Sequence, residues 1–483
     1  MEGRIHLTDM QAFSIRTIIG PLIAVVVGMV MVILDSTIVN VAFPKFQQEF
    51  GSTLAVVQWT FTGYTLALSA VIPLAGWMTD KFGAKRIFLT TVALFTLGSV
   101  LCGMAQTIEQ LIIFRIVQGI GGGMVTPIGM AVIYRLTPSH KIGEVMGVLG
   151  IPILIAPALG PVLSGWLLDY VSWQWIFLIN LPIGIIAIAL GMKWLPAFPQ
   201  GEVPKLDTLG MILAPLAFSM LAFGVGEGAV DWTSTRTVVA LTFGAAALVG
   251  LIVTELRHRQ PLLELRVFKS SDFTRSILLL WLVQIALFGV MVLFPVYLQT
   301  VRGYSPLDTG LIMLAQAVGS ILFTPVGGRM YDKVGARPLA LIGLTAVSAA
   351  LFWLSHVSPE AGLTMLLLPL FMIGSGMGLI MMALNTHVLN SAPRDLVGRV
   401  TSLTTAAQHV ITSFAVAGLT GFLAYRMNEM TMNVELQSIA AAYSDTFLLT
   451  AILAAIGIVL SLTLRKPQLL DSAVPTQGHD TNK

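Results

Sequence analysis

Gly76-Trp-Met-Thr-Asp80-Lys-Phe-Gly83-Ala-Lys85-Arg86 returns in the second half of the chain as Gly328-Arg-Met-Tyr-Asp332-Lys-Val-Gly335-Ala-Arg337. The glycines and aspartates keep the same spacing, and each copy follows a long apolar run. One such turn is a generic polar loop; two in register imply a chain built from two related halves, the usual plan of secondary transporters. Gly76 and Gly328 would let helices approach closely at the span ends. Asp80 and Asp332 would cap a neighbouring helix N-terminus, where backbone N–H groups lack partners. Arg86 and Arg337 would hold a carboxylate or the membrane surface. With Gly83 and Gly335, these residues are candidates for holding two halves shut on one side.

Everything outside the repeat points to a membrane. Of 483 residues, 56% are hydrophobic and 11% charged, with a mean hydropathy of +0.86. A soluble chain of this length could not cover its surface with so few polar groups. Runs of the roughly 20 residues that a helix needs to cross a bilayer recur from Ile18 to Leu464. They are continuous rather than alternating, which excludes a β-barrel. Fourteen spans are predicted, at about 17–39, 54–77, 87–105, 108–133, 145–168, 175–195, 209–226, 237–256, 273–299, 309–329, 339–356, 363–387, 400–424 and 446–464. The fold class is therefore all-α and polytopic. It comprises a six-helix bundle over 17–195, a linker and two inserted helices over 196–256, and a second six-helix bundle over 273–464. Residues 1–16 and 465–483 are polar termini, the latter expected to be disordered. Segment 257–272 mixes basic and apolar residues and reads as a short amphipathic helix on the membrane surface.

Residues 1–16 lack the pattern of a cleavable signal. With the N-terminus inside, all Lys and Arg lie on the inner side except Lys45, Arg236, Arg302 and Arg426 outside and Arg115 within a span. The positive-inside rule then puts both termini in the cytoplasm. The same rule accounts for the net charge of +3 without invoking nucleic acid. The single cysteine, Cys102, rules out disulfides and cysteine metal sites.

Against this background two charges stand out. Asp35 lies in Ile33-Leu-Asp35-Ser-Thr-Ile-Val-Asn40-Val-Ala-Phe-Pro44, towards the outer end of the first span. Arg115 lies in the fourth, in Phe114-Arg115-Ile-Val-Gln118-Gly119-Ile-Gly-Gly-Gly123. Intramembrane charges are costly and mark functional sites. Arg115 either snorkels to headgroups or pairs with Asp35. Gly119 and Gly123 supply a small-residue packing ridge. In span five, Pro152, Pro157, Gly160 and Pro161 predict a bent helix packed tightly on a neighbour, a hinge or a seal. Asn40, Gln58, Gln118, Asn180, Gln284, Gln316, Asn385 and His387 are candidates for a polar substrate cavity, along with Gln408 and His409. Each taken singly is more simply a packing hydrogen bond. No Gly-Lys-Ser/Thr phosphate loop, HExxH, CxxC or GxSxG is present, so no cofactor, metal or enzymatic activity is expected.

These motifs together resemble the fourteen-span drug:proton antiporters of the major facilitator superfamily, the EmrB/QacA type. The Leu34–Pro44 stretch, the Gly76–Arg86 loop, the Arg115–Gly123 segment and Gly160-Pro161 all match, as do Ser172–Gly184 and Pro295–Gln299. Ala156 departs from the pattern, standing where a glycine is common. The resemblance implies alternating access between two bundles, with proton-driven export of lipophilic small molecules from a bacterial cell membrane. Asp35 and Arg115 would be the proton-coupling pair, and Asp80 a gate residue. Multivalent-cation exporters of this type carry an acid in the tenth span. Leu311–Thr324 has none, and Asp308 stands only at its outer end, so neutral or singly charged substrates are expected. Export of one metabolite, siderophore or lipid would use the same motifs. A non-transporting receptor or structural protein would need neither buried charge.

Overall fold

The computed structural model describes residues 15–137, 142–197, 207–228, 231–258, 261, 263–391, 397–429 and 436–464. The expectations for residues 1–14 and for the tail after Leu464 lie outside them. The first half contains α1 (Ile15–Ile38), a 3-10 turn (Val39–Ala42), α2 (Phe43–Phe50), α3 (Leu54–Val57), α4 (Trp59–Val71) and α5 (Leu74–Phe82). It continues with α6 (Ala84–Gly103), α7 (Ile108–Leu136), α8 (Ile142–Tyr170), α9 (Trp175–Leu178) and α10 (Asn180–Trp194). Two further helices follow, α11 (Thr208–Gly228) and α12 (Thr235–Arg257). The second half holds α13 (Ser271–Thr300), α14 (Pro306–Val334), α15 (Ala336–Leu354), α16 (Thr364–Asn390), α17 (Val397–Glu429) and α18 (Leu436–Ser461). Among the described residues 13 helical stretches are long and apolar enough to span a bilayer. Helix α8, with 29 residues and three internal prolines, is the remaining expected span.

Local chemistry sets the boundaries. Thr107, Ser234, Ser270 and Ser305 cap helices by accepting the backbone N–H three residues on. Pro306 sits in the first turn of α14, where its missing N–H costs nothing. Pro73 separates α4 from α5 within the second span. Gly83 and Gly335 hold φ of 86° and 77° between the paired helices α5/α6 and α14/α15. That conformation is open to glycine and strained for other residues, so the sequence repeat encodes one backbone turn used twice. Gly76, by contrast, faces open space, and Gly328 meets only Met382 at 3.7 Å. The close helix approach expected at these two positions is not made here.

Two other expectations are corrected. Between the end of α12 at Arg257 and the start of α13 at Ser271, the described residues of segment 257–272 form a 3-10 turn, Leu265–Lys269, and no α-helix. Leu263 and Val267 are buried in the protein core rather than turned to lipid, and Glu255 accepts the Leu263 N–H at 3.1 Å. The last span starts at Leu436 rather than near Thr446. Its polar first turns read as loop, yet Ala442 and Tyr443 are buried, and Asp445 pairs with Arg426 at the end of α17.

Helices α11 and α12 pack on each other, and α11 also rests against α4 and α17. They add a hairpin beside the junction of the two halves, with 28% of each span buried. In the turn before α12, Asp231 accepts the Thr233 hydroxyl and N–H at 2.7 and 2.8 Å. These bonds hold its carboxyl below the usual carboxylate range.

The two ends of the molecule differ. At the repeat-loop end, the core of the first half, from Ile18 and Ala84 to Ile133, stands as a separate cluster. At the opposite end, Ile38, Phe43, Phe46, Trp173 and Phe177 share one apolar cluster with Phe294, Tyr297 and Phe447 of the second half. The halves are also bonded there: Gln299 donates to the Val41 carbonyl at 2.8 Å, and the Leu307 N–H donates to Asp169 at 2.9 Å. Deeper in the interface Thr65 and Ser413 share a hydroxyl contact of 2.5 Å. This end, remote from the repeat loops, is closed.

Tight crossings depend on glycine. A Cβ at Gly123 would lie 2.6 Å from the Leu68 carbonyl. Gly123→Ala is expected to destabilise by about 1–3 kcal/mol and to lower the unfolding temperature in detergent, whereas Gly76→Ala should leave it unchanged or slightly raised. Equal losses for the two would contradict this packing.

Candidate functional site

Five spans of the first half converge on one carboxylate. Asp35 and Arg115 are both 0% exposed, so neither charge is screened by water. Arg115 Nη1 donates to Asp35 Oδ2 at 2.6 Å and to Gln118 Oε1 at 2.6 Å. Its Nε donates to the Thr60 carbonyl at 3.0 Å. The guanidinium carbon stands 3.8 Å from the centre of the Tyr64 ring, with Phe177 at 5.6 Å. Snorkelling is thus excluded: the head is held inside by hydrogen bonds and an aromatic face.

The second carboxylate oxygen is equally occupied. Asp35 Oδ1 accepts from Gln118 Nε2 and from Asn180 Nδ2, each at 2.8 Å. Both amides also donate to Ser99 Oγ, at 2.5 and 3.1 Å. Cys102 Sγ lies 3.6 Å from Gln118 Oε1 as a weak donor. Three charged or dipolar donors thus face the Asp35 carboxyl group and offset the cost of burying it.

Close backbone approach makes the cluster possible. A Cβ at Gly98 would stand 2.6 Å from Gln118 Cα, and one at Gly119 would stand 2.6 Å from the Tyr64 carbonyl. Beside Asp35, Gly160 of α8 seats on Thr37, whose hydroxyl would lie 2.1 Å from an added Cβ. Gly160 therefore belongs to the wall of this site as well as to span five, and Pro161 follows it directly in the same helix.

The remaining candidates disperse. Gln118 and Asn180, expected in a substrate cavity, bind Asp35 instead. Asn40 is buried in the 3-10 turn at the closed end, with no partner for either amide atom. Gln58 lies in the break between α3 and α4 and accepts the Thr62 hydroxyl at 3.1 Å. Gln284 is buried on α13, its Oε1 without a partner. Gln316 lies where α14 crosses α16, its carbonyl against Gly374. Asn385 accepts from Gln408 at 2.9 Å, the one hydrogen-bonded pair among the second-half candidates. His387 is packed near Tyr331, ring centres 6.4 Å apart, towards the repeat-loop end. At that end Asp80 pairs with Arg135 of α7 at 3.3 Å, rather than capping a helix N-terminus. Both partners are about one-third exposed or more, so the pair contributes little to stability. Arg86 and Arg337 are exposed, and the Asp332 side chain lies outside the described set. Ser99, Thr60 and Tyr64 were not among the expected site residues. Hydroxyls and aromatics are too common in membrane helices for position alone to mark them.

Removing one charge of this pair should cost more than removing both. Arg115→Met leaves an uncompensated buried carboxylate, a loss of about 3–5 kcal/mol. Adding Asp35→Asn to Arg115→Met should recover much of the unfolding temperature measured in detergent, and an additive loss would contradict the pairing.

A family model described as Major Facilitator Superfamily matches residues 25–416. The Multidrug resistance protein B homolog of Mycobacterium tuberculosis is 36% identical over 408 residues, covering 83% of this chain and 76% of its own. The lincomycin resistance protein LmrB of Listeria monocytogenes is 31% identical over 442 residues, covering 89% and 93%. The crystal structure of a D-xylose-proton symporter aligns with a TM-score of 0.66 at 15% identity, over 93% of this chain and 98% of that one. That last likeness is one of fold.

Proposed function

The chain belongs to the Major Facilitator Superfamily, and from that membership we propose that it is a proton-coupled exporter of lipophilic drugs, neutral or singly charged, working by alternating access. The observation that carries the proposal is the dry Asp35–Arg115 pair with its ring of amide donors. The drug-resistance names of the relatives support the substrate class. We assign the membrane to a bacterial cell, with the repeat-loop end and both termini in the cytoplasm. The basic residues favour this orientation. The closed end is then the outer one, and the structure corresponds to a state that loads substrate from inside.

The chemistry follows from the pair. In the inward-facing state Asp35 has given its proton to the cytoplasm, and its charge is held by Arg115, Gln118 and Asn180. Export turns the halves about the Asp35 region, where α8 leans on Thr37. Rearrangement of α1 against α7 lengthens the Arg115 contact. An Asp35 carboxylate without that contact is too costly to keep in a dry site, so it takes a proton from outside. The neutral carboxyl no longer holds Arg115, and the protein returns. The inward proton gradient thereby drives export. A tenth span without a carboxylate between Leu311 and Thr324 supports neutral or monocationic cargo over dications.

In inverted membrane vesicles, Asp35→Asn should abolish proton-driven efflux of a lipophilic monocation while the protein remains inserted at normal levels. Full efflux by Asp35→Asn would sink the assignment. Strong export of a bivalent cation would overturn the substrate class alone.

A further inference from the structure

The outer seam uses one five-residue pattern twice. Pro161-Val-Leu-Ser164-Gly165 lies towards the end of α8, and Pro306-Leu-Asp-Thr309-Gly310 opens α14. The two helices run in opposite directions in the membrane, and the patterns dock on each other reciprocally. A Cβ at Gly165 would lie 2.3 Å from the Pro306 carbonyl, and one at Gly310 would lie 2.4 Å from the Pro161 carbonyl. With backbone on backbone, no layer of water fits between them.

Inside this seam polar groups are left without partners. Ser164 and Thr309 are both 0% exposed, and neither hydroxyl has a hydrogen-bond partner on the protein. Many buried hydroxyls of the described residues donate to a carbonyl of their own helix, as Thr65, Ser69, Thr96 and Thr420 do; Tyr64 and Thr137, away from this seam, are also unpartnered. Asn40 is a third case: 1% exposed, with neither amide atom partnered. Its 3-10 turn packs on both α8 and α14. Gly160 meets Thr37 and Ile38, so Ser164, one turn further out on α8, stands level with that turn by register.

Close packing of this kind would by itself lock a gate. Burying polar atoms without partners acts in the opposite direction, because each forfeits its bonds to water on closure and regains them on opening. We propose that Asn40, Ser164 and Thr309 form a built-in opposing force in the outer gate, which keeps the closed and open states near balance. The proposal rests on the alternating-access reading and not on a proton role for Asp35.

Double electron–electron resonance on the full chain in lipid nanodiscs tests this. Spin labels on Met104→Cys and Leu363→Cys, exposed positions of the two halves at the outer end, report the gate; the native Cys102 is buried. At fixed pH and without substrate, the isosteric Thr309→Val and Ser164→Ala should each raise the closed-to-open ratio about fivefold or more. Asn40→Leu should do the same if it folds; the other two decide the matter if it does not. A ratio that stays the same or falls in both would overturn the proposal, as would a wild-type gate with no open population. The same comparison in an Asp35→Asn background should give the same fold-changes, so a failure of proton coupling at Asp35 would leave this result standing.

Discussion

The buried ion pair between Asp35 and Arg115 is the constraint on which the first half of the molecule depends. A carboxylate and a guanidinium with no exposed surface would each be ruinous alone in a membrane. Together they need compensation at close range, and four other side chains, one carbonyl and an aromatic face supply it to both carboxylate oxygens and to the Arg115 Nε and Nη1, while Nη2 has no hydrogen-bond partner among the described residues. The glycines at 98 and 119 follow from the same demand, since only backbone contact between α6, α7 and α4 brings the donors near enough. In a pair so costly to break, small movements of α1 against α7 change how well each charge is compensated.

The rest of the fold determines which side can reach that pair. The apolar core of the first half is continuous with the second half at the end remote from the repeat loops and separate from it near them. Asp35 sits just inside the closed end, about one helical turn from the 3-10 turn that touches α8 and α14. The aromatic cluster of Phe46, Phe50, Trp173 and Phe177, with ring centres 5.4–6.4 Å apart, covers the site from that side. Phe177 reaches from this cover to the Arg115 guanidinium. The seal and the charge site therefore share Phe177.

Much of this was legible in the sequence because membranes impose strict rules. Apolar runs of spanning length gave the helices, the doubled loop gave the two halves, and charges inside apolar runs picked out Asp35 and Arg115. The φ values of Gly83 and Gly335 show that the doubled loop encodes a backbone conformation. What was not legible depended on contacts between spans. Gln118 and Asn180 were visible as polar residues but not as ligands of Asp35, since the crossing of α1, α7 and α10 has no linear signature. Ser99 was hidden among many membrane hydroxyls. Gly76 looked like a packing glycine, yet its surroundings are open. The start of α18 was misplaced because Gln437, Ser438 and Asp445 read as loop, while packing of Ala442 and Tyr443 and the Arg426 pair hold them helical.

Proton release on substrate binding tests the coupling at Asp35 most directly. Purified protein in weakly buffered detergent solution, near neutral pH, is mixed with a transported lipophilic cation while a pH dye or electrode follows the solution. Wild-type protein should release protons in a saturable manner, and Asp35→Asn, shown to be folded by its unfolding temperature, should release none. Equal release from Asp35→Asn would contradict the assignment of Asp35 as the proton carrier.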